Sequence, residues 1–208
     1  MENEEIYQSN DIEENYEIKV ILLGESGVGK SNLINVAVGK PFSPKLDSTV
    51  SSTFVLKKCI RGNISYNLNI WDTAGQEKFR ALTKLFIKNS KIVIFVYAID
   101  SKPSFEALQF WGSTIKESLG DEPVLAIVGN KLDLYLHEQI KEIEVENYAK
   151  EIGAQYILVS AKTNPQAFIN FLEQLLDEYL KKSGTIIRES SFELKKEKYE
   201  KKSKKKCC

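Results

Sequence analysis

The sequence predicts an α/β fold on a mainly parallel sheet, and three observations carry that prediction. Four runs are almost continuously apolar, IKVILL at 18–23, KIVIFVYAI at 91–99, PVLAIVG at 123–129 and YILVS at 156–160, as strands covered on both faces must be. Between them lie segments whose apolar residues recur at helical spacing. Strand and helix therefore alternate along the chain, the pattern of parallel strands joined by helical crossovers.

Taken in order, the first strand, 18–23, runs directly into GESGVGKS (24–31), with a helix beginning near Asn32. TFVLKKCI (53–60) and ISYNLNIW (64–71) are separated only by RGN, too short for a crossover, so they form a hairpin and one strand runs antiparallel. After the strand at 91–99, PSFEALQFWGSTIKESL (103–119) puts Phe105, Leu108, Ile115 and Leu119 on one helical face. After 156–160, PQAFINFLEQLLDEYLKK (165–182) does the same with Phe168, Phe171, Leu172, Leu175, Leu176 and Tyr179. Pro103 and Pro165 suit first helical positions, where a missing N–H costs nothing, and Gly184 suits a helix end. Beyond Gly184 the apolar period lapses.

At 208 residues and 42% hydrophobic content the chain can bury one ordinary core. Its formal net charge of zero hides a polarity: residues 1–17 carry seven acids and no base, whereas 195–206 carry eight lysines against two glutamates. Such runs lack the apolar side chains that would offset the entropy of ordering them. The expected organisation is an acidic flexible extension at 1–17, a folded domain at 18–182 and a flexible tail at 183–208 with a polybasic segment. Three cysteines, Cys59 in an apolar stretch and Cys207 and Cys208 adjacent to each other, make no disulfide framework, so a reducing compartment is expected. No run reaches membrane-spanning length, and the acidic N-terminal stretch does not suit a signal peptide. Cys59 is expected to be a small buried hydrophobe and His137 to face solvent. No internal repeat and no nucleic-acid partner are expected.

The chemistry begins in GESGVGKS. Glycines after a strand and before a helix let the chain curl until the N–H groups along Ser26, Gly27, Val28, Gly29, Lys30, Ser31 and Asn32 face phosphate oxygens. Lys30 then reaches the outer phosphates and the Ser31 hydroxyl faces Mg²⁺. The base is read elsewhere. NKLD places Asn130, Lys131 and Asp133 just beyond the strand at 123–129, where a parallel sheet opens its ligand edge. A carboxylate at Asp133 accepts two N–H donors from a guanine edge, while adenine would face it with a lone pair. SAK, comprising Ser160, Ala161 and Lys162, follows another strand and can offer the Ala161 N–H to the guanine carbonyl.

GESGVGKS, WDTAGQEKFR, NKLD and SAK, in this order and spacing, resemble a small GTPase of the Ras superfamily and specifically its Rab branch, over residues 18–182 and the Cys-Cys pair. The resemblance implies a P-loop GTPase domain with a six-stranded sheet flanked by helices, the 53–60 strand being the antiparallel one. It implies that Asp72 holds Mg²⁺, that the Gly75 N–H meets the γ-phosphate and that Gln76 orients the attacking water. Thr49 matches the threonine that gives Mg²⁺ its hydroxyl, and Phe42 the aromatic that packs on guanine. Ordinary loop packing is the alternative for Phe42. GTP and GDP would then order and release the loops near 42–52 and 73–86 in a slow switch. Neither Arg61, Arg80 nor Arg188 lies in the first of these loops, so a GTPase-activating protein is expected to supply the stabilising charge.

Phe54, Trp71 and Phe86 match the aromatic triad that Rabs present to effectors, with core packing the alternative for Trp71. Ser51, Ala98 and FIK at 86–88 depart from the usual pattern and leave effector identity open. Rab-like tails ending in Cys-Cys are geranylgeranylated on both thiols, here Cys207 and Cys208; a strained vicinal disulfide and a metal site are the competing readings. The implied partners are an exchange factor, a GTPase-activating protein, effectors, prenyl-handling escort proteins and an anionic membrane, around a monomeric domain. The implied location is the cytoplasmic face of intracellular membranes with a cytosolic pool. A nucleotide-binding scaffold that scarcely hydrolyses, and plasma-membrane signalling in the Ras manner, are the other functions considered.

Overall fold

The computed structural model describes residues 15–45, 49, 53–73 and 85–184. Strand β1 (Asn15–Leu23) leads to helix α1 (Lys30–Ala37), then to the hairpin of β2 (Thr53–Arg61) and β3 (Ile64–Asp72). There follow β4 (Ile92–Ala98), α2 (Lys102–Leu119), β5 (Val124–Asn130) and a 3-10 turn at Leu132–His137. The series closes with α3 (Glu142–Ile152), β6 (Gln155–Leu158) and α4 (Pro165–Lys182).

The strands form one six-stranded sheet in the order β2-β3-β1-β4-β5-β6. Only the β2–β3 pairing is antiparallel, with Phe54 opposite Trp71 and Arg61 opposite Ile64, and the other pairings are parallel. The expected α/β class, parallel sheet and hairpin are all found. Successive residues of β1 go to opposite faces: Val20 and Leu22 join a core with α1 and α4, while Ile21 and Leu23 join another with α2 and α3. Every residue of β4 is buried, which is why its sequence has no polar face.

Some boundaries differ from the sequence reading. β1 starts at Asn15, three residues before the expected edge at 18, because the ladder with β3 continues through Asn15–Ser65, Tyr16–Tyr66 and Glu17–Asn67. Tyr16 stacks on Tyr66 at 5.6 Å, so polar residues extend the strand. Helix α1 starts at Lys30 rather than Asn32. Helix α2 starts one residue early, which makes Pro103 its second residue, and it buries Trp111, Thr114 and Ser104 beside Leu108 and Ile115. Helix α3 answers to no expected element.

The chain runs from β1 toward β3 and β2 on one side, then returns to β4, β5 and β6 on the other. Strand order therefore reverses beside β1, and a crevice opens at the carboxyl ends of the strands there.

Candidate functional site

That crevice is a cavity of about 470 Å³, within the usual range for small-molecule sites. Ser26, Gly27, Gly29, Lys30, Ser31 and Asn32 form one end; Phe42, Ser43, Pro44 and Thr49 form a wall; Asn130, Lys131, Asp133, Leu134, Ala161 and Lys162 close the other end. Val28 lies buried in the α1-side core instead.

The loop 24–31 depends on two glycines for its path. Gly24 has φ 152° and Gly29 φ 97°, and a Cβ would sit 2.1 Å from the Val96 carbonyl oxygen at the first and 2.3 Å from Asn130 Nδ2 at the second. Any other residue would push the loop off β4 or off Asn130. Across the loop's mouth, Lys30 Nζ donates to the carbonyls of Gly24 and Glu25, both at 2.9 Å. Burial brings its pKa down to about 8, against the pull of Asp72 and Glu25.

Asn130 ties three loops together: Nδ2 donates to Val28 O at 2.9 Å, and Oδ1 accepts the Ala161 N–H at 3.2 Å. The amide expected to meet a base carbonyl is thus already hydrogen-bonded, and an incoming oxygen has to share it. Asp133 is aimed from below, its Oδ1 accepting the Ser160 hydroxyl at 2.6 Å and its Oδ2 lying 3.9 Å from Lys162 Nζ. Ser160 Oγ also accepts the N–H groups of Lys162 and Thr163, at 3.2 and 3.1 Å. Ser160 is buried and outside the cavity lining, so its geometry is that of a support for Asp133. Lys131 adopts φ 66°, and its Nζ lies 3.7 Å from Asp100 Oδ1.

Three oxygens converge at the α1 end of the cavity. Ser31 Oγ and Thr49 Oγ1 are 3.0 Å apart, and Thr49 Oγ1 is 3.5 Å from Asp72 Oδ2. The second carboxylate oxygen, Asp72 Oδ1, is buried with no hydrogen-bond partner. Burial raises the Asp72 pKa, while hydrogen bonds from Ser31 and Thr49 and the charge of Lys30 oppose the rise. Two hydroxyls and an unpartnered buried carboxylate oxygen suit a hard divalent cation, which takes oxygen ligands. No group of three or more His, Cys, Asp or Glu able to hold a metal occurs among the described residues.

Away from the cavity, Phe54 stacks on Trp71 with ring centroids 5.2 Å apart, and Trp71 meets Phe86 at 5.5 Å. Phe54 is 55% exposed, whereas Trp71 and Phe86 are half-buried and pack on the α2-side core, so Trp71 does pack on the core while part of its surface stays open. Lys19 Nζ lies 4.6 Å from the Trp71 ring centroid. Cys59 is buried and His137 exposed, as expected. Gly75, Gln76, Ser51, Cys207 and Cys208 lie outside the described residues. The sequence reading did not pick out Asp100, Ser43, Pro44 or Leu134. Ser43, Pro44 and Leu134 line the cavity and Asp100 lies beside Lys131, placements that follow from loop paths that no local pattern encodes.

Fold and cavity together define a P-loop nucleotide-binding protein. The model of the Ras family matches residues 19–180. Among curated proteins the chain is 37% identical to human (Homo sapiens) Ras-related protein Rab-21 over 165 residues, 78% of this chain and 73% of the relative. It is 33% identical to Ras-related protein Rab-2B of Dictyostelium discoideum over 83% of this chain and 87% of the relative, and 37% identical to human Rab-22A over 70% and 75%. The chain belongs to the Ras family and is a small GTPase of the Rab type; it hydrolyses GTP to GDP and phosphate.

Proposed function

We propose that the 470 Å³ cavity takes GTP and GDP with Mg²⁺, and that the protein works as a slow, membrane-anchored switch recruiting effectors in vesicle trafficking. The observation that carries this reading is the meeting, around one cavity, of the 24–31 loop, the 130–133 loop and the 160–162 loop. The N–H groups along Ser26–Asn32 and the Lys30 ammonium take the phosphates. Asn130, Lys131, Asp133 and Ala161 take the base, supported by Ser160 and Lys162, with Phe42 against the guanine ring.

Ser31, Thr49 and Asp72 are the residues to hold Mg²⁺, which when bound neutralises charge on the phosphate oxygens. Gly75 meets the γ-phosphate through its N–H and Gln76 orients the attacking water. Loss of the γ-phosphate then releases the loops near 42–52 and 73–86. Phe54, Trp71 and Phe86 form the effector-facing aromatic surface. Geranylgeranyl groups on Cys207 and Cys208, with the neighbouring lysines, hold the protein on the cytoplasmic face of intracellular membranes. An escort protein handles the lipidated cytosolic pool, and an exchange factor loads GTP.

Arg61 cannot act as the charge-stabilising arginine from where it stands: its Nε donates to Asp177 Oδ1 at 2.7 Å, and Nη2 lies 3.6 Å from Glu173 Oε2, both on α4. A GTPase-activating protein supplying that charge is worth about 10³–10⁵ in rate. Single-turnover hydrolysis of GTP by the full chain, with and without such a partner, tests the reading. Slow unaided turnover that rises on adding the partner, and collapses in Gln76→Leu, is expected. Unaided turnover within seconds would end it.

A further inference from the structure

We propose that Asn32 is a positioning residue that latches the aromatic wall of the nucleotide cavity to helix α1 and so slows nucleotide release. The inference rests on the nucleotide reading of the cavity and adds a residue that controls how long the ligand stays. Asn32 stands in the first turn of α1. Its Nδ2 donates to the Ser43 carbonyl at 2.9 Å, and its Oδ1 accepts the Ser43 N–H at 2.9 Å. A planar side-chain amide thereby satisfies both main-chain groups of one residue, as a neighbouring strand would. No side chain limited to donating or accepting can make both bonds.

The consequence falls on the neighbouring residue. Phe42 faces the cavity and packs on the α1-side core at its back. The preceding chain is pinned as far as Lys40, whose N–H donates to Asn35 O at 2.9 Å, and the Ser43 hydroxyl donates to Lys45 O at 3.3 Å. Asn32 is the fastening between these two points. It fixes the base-side wall to the helix whose first turn closes the phosphate side, so the two walls hold their spacing without a ligand to bridge them. A nucleotide that leaves by displacing Phe42 has to break both bonds to Ser43.

Release of a fluorescent GDP analogue from the full chain tests this, with wild type compared with Asn32→Leu, Asn32→Asp, Phe42→Ala and the Asn32→Leu/Phe42→Ala pair. Two hydrogen bonds of ordinary net strength set the expected acceleration in Asn32→Leu at about tenfold. Asn32→Asp keeps an acceptor for the Ser43 N–H but turns a carboxylate oxygen toward the Ser43 carbonyl. It should release at least as fast, and it carries the test alone if Asn32→Leu does not fold. Because Asn32 acts through the wall, adding Asn32→Leu to Phe42→Ala should change release by less than about twofold. Release within twofold of wild type in both single variants at Asn32 overturns the latch, as does an undiminished Asn32→Leu effect on top of Phe42→Ala. A wild-type chain that fails to bind the analogue sinks the nucleotide reading of the cavity itself.

Discussion

At the scale of single residues, the site divides into side chains that face the cavity and side chains that aim them. Asp133 shows the division best: Ser160 holds one of its oxygens at 2.6 Å, and the other lies 3.9 Å from Lys162 and, on the proposed reading, faces the base. A carboxylate accepts from the N–H groups of guanine, whereas an amide in its place offers donors where the base also donates. Asp133→Asn should therefore weaken GDP binding by about 10²–10⁴, from two charge-assisted hydrogen bonds lost, and favour xanthosine diphosphate, whose extra carbonyl accepts. Competition between the two diphosphates for the fluorescent analogue measures it, and an unchanged preference for GDP would remove Asp133 from base recognition. Gly24, Gly29, Lys30, Asn130 and Asp133 are legible in the sequence because each acts within a short motif whose letters stand for geometry. Asn32 to Ser43 and Lys131 to Asp100 are not. Those pairs meet only after the loops have been set on the sheet, 11 and 31 residues apart in the chain.

At the scale of elements, burial on both faces decides what could be foreseen. β4 and β5 announce themselves as unbroken apolar runs, since helices cover the sheet on each side. α3 does not, because it buries only Val145, Tyr148 and Ala149 among four glutamates, an asparagine and a lysine, so its apolar stripe is thin. Its docking on α2 is correspondingly specific. Tyr148 donates to the Leu108 carbonyl at 3.0 Å, and a Cβ at Gly112 would meet its hydroxyl at 2.6 Å, so α2 carries glycine there despite a cost of about 1 kcal/mol to the helix. Burial pushes the Tyr148 pKa up to about 12, with Glu151 adding to the rise, and Tyr97 is raised by burial as well. An unfolded tyrosine ionises near pH 10, so between about pH 10 and 12 the folded state holds protons that the unfolded state has lost. Stability should be unaffected by these groups below pH 10 and should fall as the pH rises through that window. Urea midpoints should decline less steeply for Tyr148→Phe than for wild type, with Tyr97 responsible for part of what remains. Equal slopes would show that Tyr148 ionises in the folded state as easily as in water.

At the scale of the whole molecule, no helix among the described residues is long and apolar enough to cross a membrane, so the proposed attachment to one needs another source. Helix α4 is the last described element, and its Lys182 donates to the carbonyls of Asp121 and Pro123 at 2.7 and 3.3 Å, at the edge of the domain where β5 begins. The nucleotide cavity lies at the opposite, carboxyl end of the strands, so a membrane attached through the segment after α4 leaves that end free for regulators. Residues 195–206 bring eight lysines against two glutamates, and each lysine near an anionic leaflet contributes about 1 kcal/mol, but screening confines that attraction to a Debye length. Charge alone therefore gives salt-sensitive attachment. One lipid chain adds only a partition constant of about 10⁴ M⁻¹, and two chains make attachment lasting. On the proposed reading, changing either Cys207 or Cys208 to Ser should leave a protein that exchanges readily between membrane and soluble fractions. Changing both should leave it soluble at physiological salt, with GDP binding intact. Fractionation of cells expressing the three variants, with mass spectrometry of the membrane-extracted wild type, measures both arms. Free thiols on membrane-extracted protein, or full membrane retention of the double variant, would mean that something other than lipid on these two cysteines holds it there.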